Sequence, residues 1–174
     1  MHAVHSARPA RRTAAETLVA ALASVLAILV ATAGLAVLTT ASASADSRVM
    51  SLSSDTYELK VQQLINQRRA HHGLSKLSLE SCTDGTAERW AQRLAENHEF
   101  YHQSMGDIID RCGAFYAGET LGKGAISPNR LVRLWMHSPP HRKVLLSKHA
   151  KRIGVGAYTD STGAWVTAAN FTRF

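Results

Sequence analysis

Glycine (11) and proline (4) are sparse among the 174 residues, and no repeat is visible along the chain. Collagen-like, low-complexity and solenoid architectures are thereby excluded. No run of four or more Lys/Arg occurs, although 20 basic against 13 acidic residues give a net charge of +7. Scattered charge of this kind argues against a dedicated nucleic-acid binder. Short catalytic signatures are missing as well: there is no G-x-S-x-G, no glycine-rich phosphate loop and no CxxC pair. The length suits one domain.

The N-terminus carries an address. Arg8, Arg11 and Arg12 precede Leu18 to Leu38, which holds no charge, and the small, polar stretch Thr39 to Ala45 follows. That is the tripartite form of a secretory signal, and Ala43-Ser44-Ala45 places the cut after Ala45, with Ala41-Ser42-Ala43 as a second cut. The alternative is a retained anchor, since the apolar stretch is long enough to span a bilayer. Residues 1–45 are thus read as a signal peptide or anchor, 46–54 as a linker and 55–174 as the folded domain. Both readings put the domain outside the cytoplasm, secreted or held on the outer membrane face. The membrane is touched only through an uncleaved N-terminal segment. The mature chain, with 17 basic and 12 acidic residues, keeps a charge of +5, which attracts it weakly to cell-wall polymers or lipid head groups. Cys82 and Cys112 are the only cysteines. Export makes a disulfide between them the expected state, stabilising by about 3 to 4 kcal/mol through loop closure.

Elements follow from periodicity. Asp55-Thr56-Tyr57-Glu58 reads as a capping box, and Tyr57, Val61, Leu64, Ile65 and Arg68 recur at helical spacing until Gly73. A second helix is predicted over Thr83 to Asn97, facing inward with Ala87, Trp90, Ala91 and Leu94. Ser127-Pro128 starts a third, with Leu131, Leu134 and Trp135 as its buried stripe. Ser138-Pro139-Pro140 stops it and starts a short helix over His141 to Leu146. Arg152 to Tyr158 and Ala164 to Phe171 flank a Thr/Asp/Ser/Gly turn and read as a β-hairpin. Helices before an antiparallel pair predict α+β layering.

Three residues stand out chemically: His102 in Phe100-Tyr101-His102-Gln103-Ser104, Glu119 in Gly118-Glu119-Thr120-Leu121, and His141 in Trp135-Met136-His137-Ser138-Pro139-Pro140-His141-Arg142. Glu119 is the most telling, because its stretch is mostly apolar or small and a charge there needs partners. His137 and His141 do not form a helical zinc pair, since Pro139 and Pro140 break the helix between them. His71 and His72 read as a solvated helix end, and Trp90, Trp135 and Trp165 as core.

The order of these pieces, with Leu64-Ile65-Asn66-Gln67-Arg68-Arg69, Trp90-Ala91, Leu145-Leu146 and Ile153-Gly154-Val155-Gly156, resembles the CAP superfamily (cysteine-rich secretory proteins, antigen 5, pathogenesis-related 1) in its compact secreted bacterial form. The likeness spans Val61 to Phe171. It implies a three-layer α-β-α sandwich with a small antiparallel sheet and an open cleft. On this mapping His102 and His141 are the cleft histidines and Glu119 the cleft glutamate. Ser138 stands where many members carry a second acid, Pro140 where Gly is common and Thr120 where Asn is common. Two neutral imidazoles and a carboxylate are a reasonable ligand set for zinc or another divalent cation; no further cofactor is implied. The resemblance favours a monomeric secreted binding module whose cleft of His102, Glu119, His141 and Ser138 accepts a small ligand, lipid or cell-wall component. The alternative is a metal-assisted extracellular hydrolase in which Glu119, His102 or His141 acts as general base on peptide, ester or cell-wall substrate. A third reading has His102, Glu119 and His141 only brace the loops.

Overall fold

A computed structural model describes residues 52–174; the predicted signal peptide, its cleavage site and most of the predicted linker lie outside the described residues. Chain order is α1 (Ser54–His71), β1 (Ser78–Leu79), α2 (Ser81–Glu96), α3 (Met105–Cys112), β2 (Tyr116–Gly124), α4 (Pro128–His137), α5 (Pro139–Leu145), β3 (Arg152–Thr159) and β4 (Trp165–Arg173). The four strands form one sheet in the order β1-β3-β4-β2. β4 pairs antiparallel with both β2 and β3, as the predicted hairpin requires, while the two-residue β1 adds a parallel edge to β3. β2 is therefore the free edge on the other side.

Alternation along the strands builds the three layers. Ile153, Val155, Ala169 and Phe171 point to one face and join Val61, Ile65, Leu131, Trp135 and Leu145 in the larger core under α1, α4 and α5. Val166, Ala168 and Leu121 point to the other face and pack against Ala87, Ala91 and Leu94 of α2. Gly154 and Gly156 also face α2. A Cβ on either would stand 2.3 Å from the backbone of Asp84 or Glu88.

The helices depart from the sequence reading in instructive ways. The N-cap of α1 is Ser53, which accepts from the Thr56 N–H at 3.3 Å, so the helix starts one residue before the predicted box. Leu52, placed in the linker by sequence, already packs against the core. Arg69, not Arg68, is the inward arginine of α1. In α4 the buried stripe is Leu131, Val132 and Trp135, whereas Leu134 is 52% exposed. Two elements escaped periodicity: α3, which at 8 residues is too short for a clear helical pattern, and β2, whose glycines dilute any alternation. For α3 the caps were legible, since Ser104 accepts from the Asp107 N–H and Gly113 closes the helix at φ 66°. Cys82 and Cys112 are joined as expected and tie the start of α2 to the end of α3.

Glu58, assigned to the capping box by sequence, instead accepts from the Ala157 N–H of β3 at 2.7 Å. Burial pushes its carboxyl up to about 7, opposed by that hydrogen bond and reinforced by Glu88, Asp84 and Asp55 nearby. A folded-state value above the unfolded one means the stabilising contribution is complete below pH 4.5 and is lost as pH rises through about 7. With solvent screening at this half-buried site, the change is on the order of 1 kcal/mol. Urea denaturation at pH 5 and pH 8 is expected to show lower stability at pH 8. Glu58→Gln should flatten that difference; an unchanged slope in the variant would remove Glu58 as its source.

Candidate functional site

The site is built across the free edge of β2. Glu119 pairs in register with Asn170 of β4, and both side chains point to the α2 face of the sheet. The Glu119 side chain is 1% exposed and fully engaged. His102 Nδ1 lies 2.5 Å from Oε1, the Gln103 N–H donates to Oε1 at 3.3 Å, and Gln103 Nε2 donates to Oε2 at 2.7 Å. Gln103 Nε2 also reaches Asn170 Oδ1 at 3.2 Å, and Asn170 Nδ2 donates to Thr86 Oγ1 of α2. Burial raises the Glu119 carboxyl above its ordinary range, against the hydrogen bonds from Gln103 and His102 and the charge of His102. The carboxylate therefore fixes the His102 ring by its Nδ1 edge. The imidazole itself remains 58% exposed, with Nε2 available.

The other half comes from the α4–α5 corner. Pro at the first position of α5 breaks the run from α4, and Ser138 stands at the joint as the cap of both helices. Its hydroxyl makes no capping bond in α5. Instead it contacts His141 Nδ1 at 2.8 Å. Burial, then the charge of His102, holds His141 below its ordinary value, so the ring is neutral near pH 7. Ser138 and His141 border a cleft of about 270 Å³ whose walls are mostly apolar, formed by Phe100, Leu121, Leu131, Leu134 and Trp135, with Lys123 also lining it. The Trp135 ring is pinned by its Nε1, which donates to the Leu121 carbonyl at 2.8 Å. Gly122 makes the wall flat, since a Cβ there would stand 2.3 Å from Leu131 Cδ1.

All four residues named from sequence thus border the β2 edge, in two pairs: His102 with Glu119, and His141 with Ser138. Glu119 belongs to the α2 side of the sheet and His141 to the α5 side. Among the described residues no three His, Cys, Asp or Glu side chains converge as a group that could hold a metal ion. The three-ligand set implied by resemblance is not assembled in this arrangement, because Glu119 is spent on His102 and Gln103. Gln103 and Asn170 were missed by sequence reading; their amides carry no periodic or motif signal, and it is the β2–β4 register that brings Asn170 beside Glu119 and the loop after α2 that brings Gln103 there with His102.

Comparison with known proteins follows the same outline. The model of the family described as "Cysteine-rich secretory protein family" (CAP) matches residues 62–170. The uncharacterized protein YkwD of Bacillus subtilis (strain 168) is 34% identical over 120 residues, which cover 65% of this chain and 46% of that protein. The uncharacterized membrane protein YlbC of the same organism is 32% identical over 108 residues, 58% of this chain and 31% of that protein. The chain spans less than half the length of either relative. Among solved structures, an extracellular protein containing an SCP domain from Bacillus anthracis str. Ames superposes with a TM-score of 0.62 at 25% identity, covering 70% of this chain and 41% of that one. A cysteine-rich secretory protein from Staphylococcus aureus gives 0.62 at 17% identity, covering 71% and 40%. An outer surface protein of Borrelia burgdorferi gives 0.59 at 23%, covering 64% and 88%. The three-layer α-β-α arrangement is shared with these neighbours.

Proposed function

Since the chain belongs to the cysteine-rich secretory protein (CAP) family, we propose that it is an extracellular binding module whose β2-edge cleft takes a small amphipathic ligand. The observation that carries this reading is the pairing of an apolar wall with two differently held imidazoles. His102 is exposed but oriented by a buried carboxylate, and neutral His141 sits beside Ser138 at the cleft rim. A polar ligand end, such as a fatty-acid carboxylate, can take hydrogen bonds there while its apolar part lies on Leu134 and Phe100, each about half exposed. A lipid fits such a wall better than a bare sugar. Export is supported by the N-terminal signal pattern, by the disulfide, and by neighbours described as extracellular or outer surface proteins. No helix among the described residues is long and apolar enough to cross a membrane.

The test is titration of the oxidised chain with a dansylated fatty acid. Saturable binding is expected, weakened at least tenfold in His102→Ala/His141→Ala. Equal binding by wild type and variant, or none by either, would overturn the proposal. A parallel zinc titration with saturable heat that disappears in the same variant would put a metal in the cleft in place of a lipid. The hydrolase reading has one observation in its favour, the Ser138 hydroxyl against the neutral ring of His141, which is the contact of a nucleophile with a base. Turnover of a short-chain p-nitrophenyl ester abolished by Ser138→Ala would promote it over binding.

A further inference from the structure

A second concavity, of about 390 Å³, opens between α2 and α3, outside the cleft. Its lining includes Arg89, Trp90, Arg93, Gln103, Asp107 and Arg111. The three arginines arrive there by the same geometry that buries α2. Ala87, Ala91 and Leu94 face the sheet, which turns Arg89 and Arg93, one helical turn apart, toward α3.

Each guanidinium is placed by a different device. Arg89 Nη1 lies over Gly85, 3.1 Å from where a Cβ would stand, so the missing side chain leaves the guanidinium room there. Arg93 sits 5.4 Å above the Trp90 ring, and Trp90 is itself anchored by Nε1 donating to the Tyr101 carbonyl at 3.2 Å. Arg111 is in the last turn of α3, next to Cys112, whose disulfide to Cys82 holds that turn against the start of α2.

Among the described residues these charges have no ion-pair partner. The ion pairs among the described residues are His102–Glu119 and Lys123–Asp160, so no carboxylate lies within 4.0 Å of Arg89, Arg93 or Arg111. Asp107 borders the pocket as the single opposing charge against three. Like charges gathered in one concavity repel, and an anion with several oxygens relieves that repulsion. Guanidinium forks suit this task because they donate in pairs to tetrahedral oxyanions. Three donors arriving from two helices match a phosphate better than a two-oxygen carboxylate.

We propose that this pocket binds a phosphate ester, either as a free compound or as a lipid head group. It adjoins the cleft without sharing its imidazoles: Gln103 borders the pocket and holds Glu119 from the far side. The proposal therefore stands apart from the cleft reading, and His102→Ala/His141→Ala should leave phosphate binding intact.

The test is calorimetric titration of the oxidised full chain at low salt with two probes, glycerol 3-phosphate and dihexanoyl phosphatidylglycerol below its micelle concentration. Saturable binding is expected, at least tenfold weaker in Arg89→Gln/Arg111→Gln and weakened further by added salt. Both side chains are exposed, so the variant should melt as the wild type does; if it does not, Arg93→Gln carries the same comparison. Tighter binding of the short lipid supports the head-group form, and equal or tighter binding of glycerol 3-phosphate supports the free ester. Undiminished binding in the variants, or no saturable heat with either probe, overturns the proposal.

Discussion

Arg69→Leu is expected to destabilise the domain by about 4 kcal/mol, read as a shift of the urea midpoint with tryptophan fluorescence. The Arg69 side chain is among the largest fully buried ones, at 1% exposure. Its Nε donates to the Ser75 carbonyl at 3.0 Å, and Nη1 donates to the carbonyls of Leu145 and Ser147, each at 2.9 Å. No carboxylate is paired with it among the described residues. Its charge is met instead by carbonyls at the C-terminal end of α5, where the last turn leaves acceptors unsatisfied and the helix dipole is negative. Burial still lowers the guanidinium's pKa from its ordinary value. Leucine would keep the volume roughly filled but strand the buried Leu145 carbonyl and leave the part-buried carbonyls of Ser75 and Ser147 without their donor, and a buried acceptor left unpaired costs about 1 to 3 kcal/mol. Arg69→Lys keeps the charge but not the fork, so an intermediate loss is expected. A leucine variant as stable as wild type would mean that water satisfies those carbonyls and that Arg69 is not the clamp joining α1 to α5.

The second large effect is steric. Gly154→Ala and Gly156→Ala are expected to cost about 3 kcal/mol each, and the double variant more than about 5 kcal/mol, enough to prevent folding at 37 °C. The clash is with the backbone of α2 at Asp84 and Glu88, not with a side chain that could swing away. Relief requires the helix to lift from β3, and that would also break the Val155 N–H bond to Asp84 Oδ1 at 2.9 Å. By contrast, Gly73→Ala at the end of α1 meets nothing within 4 Å and suffers only from its φ of 67°, so a loss of about 1 kcal/mol is expected there. Thermal melts of the three single variants give the comparison directly. Similar melting temperatures for all three would show that α2 is not held at contact distance by the β3 glycines.

How far the site could be read before folding depends on the residue. His102, Glu119, His141 and Ser138 were named from their motifs, and all border the same strand edge. Glu119 was flagged for a physical reason that the structure bears out: a carboxylate in an apolar stretch had to find partners, and it is buried among His102 and Gln103. The partners themselves were illegible, because Gln103 is an ordinary loop amide and Asn170 lies 51 positions beyond Glu119 in a strand. Arg69 was hidden by its neighbour, since adjacent arginines at a helix end cannot be ranked without knowing which carbonyls wait inside. Leu134 was misplaced because α4 buries Val132 in its stead, a small rotation that periodicity does not resolve.

The sequence alone determined the disulfide partners, the order of the long helices, the closing hairpin and the family, because each depends on local chemistry or on an ordered run of motifs. The tertiary structure decided which side of the sheet each functional group occupies. Side chains alternate across a strand, so Glu119 turns to the α2 layer while His141 reaches the edge from the α5 layer. Two imidazoles and a carboxylate that look like one triad in the sequence are therefore divided between two hydrogen-bonded pairs. The same packing brings Arg111 of α3 against Arg89 and Arg93 of α2 in one pocket, although nothing in its distance along the chain from that pair announces it.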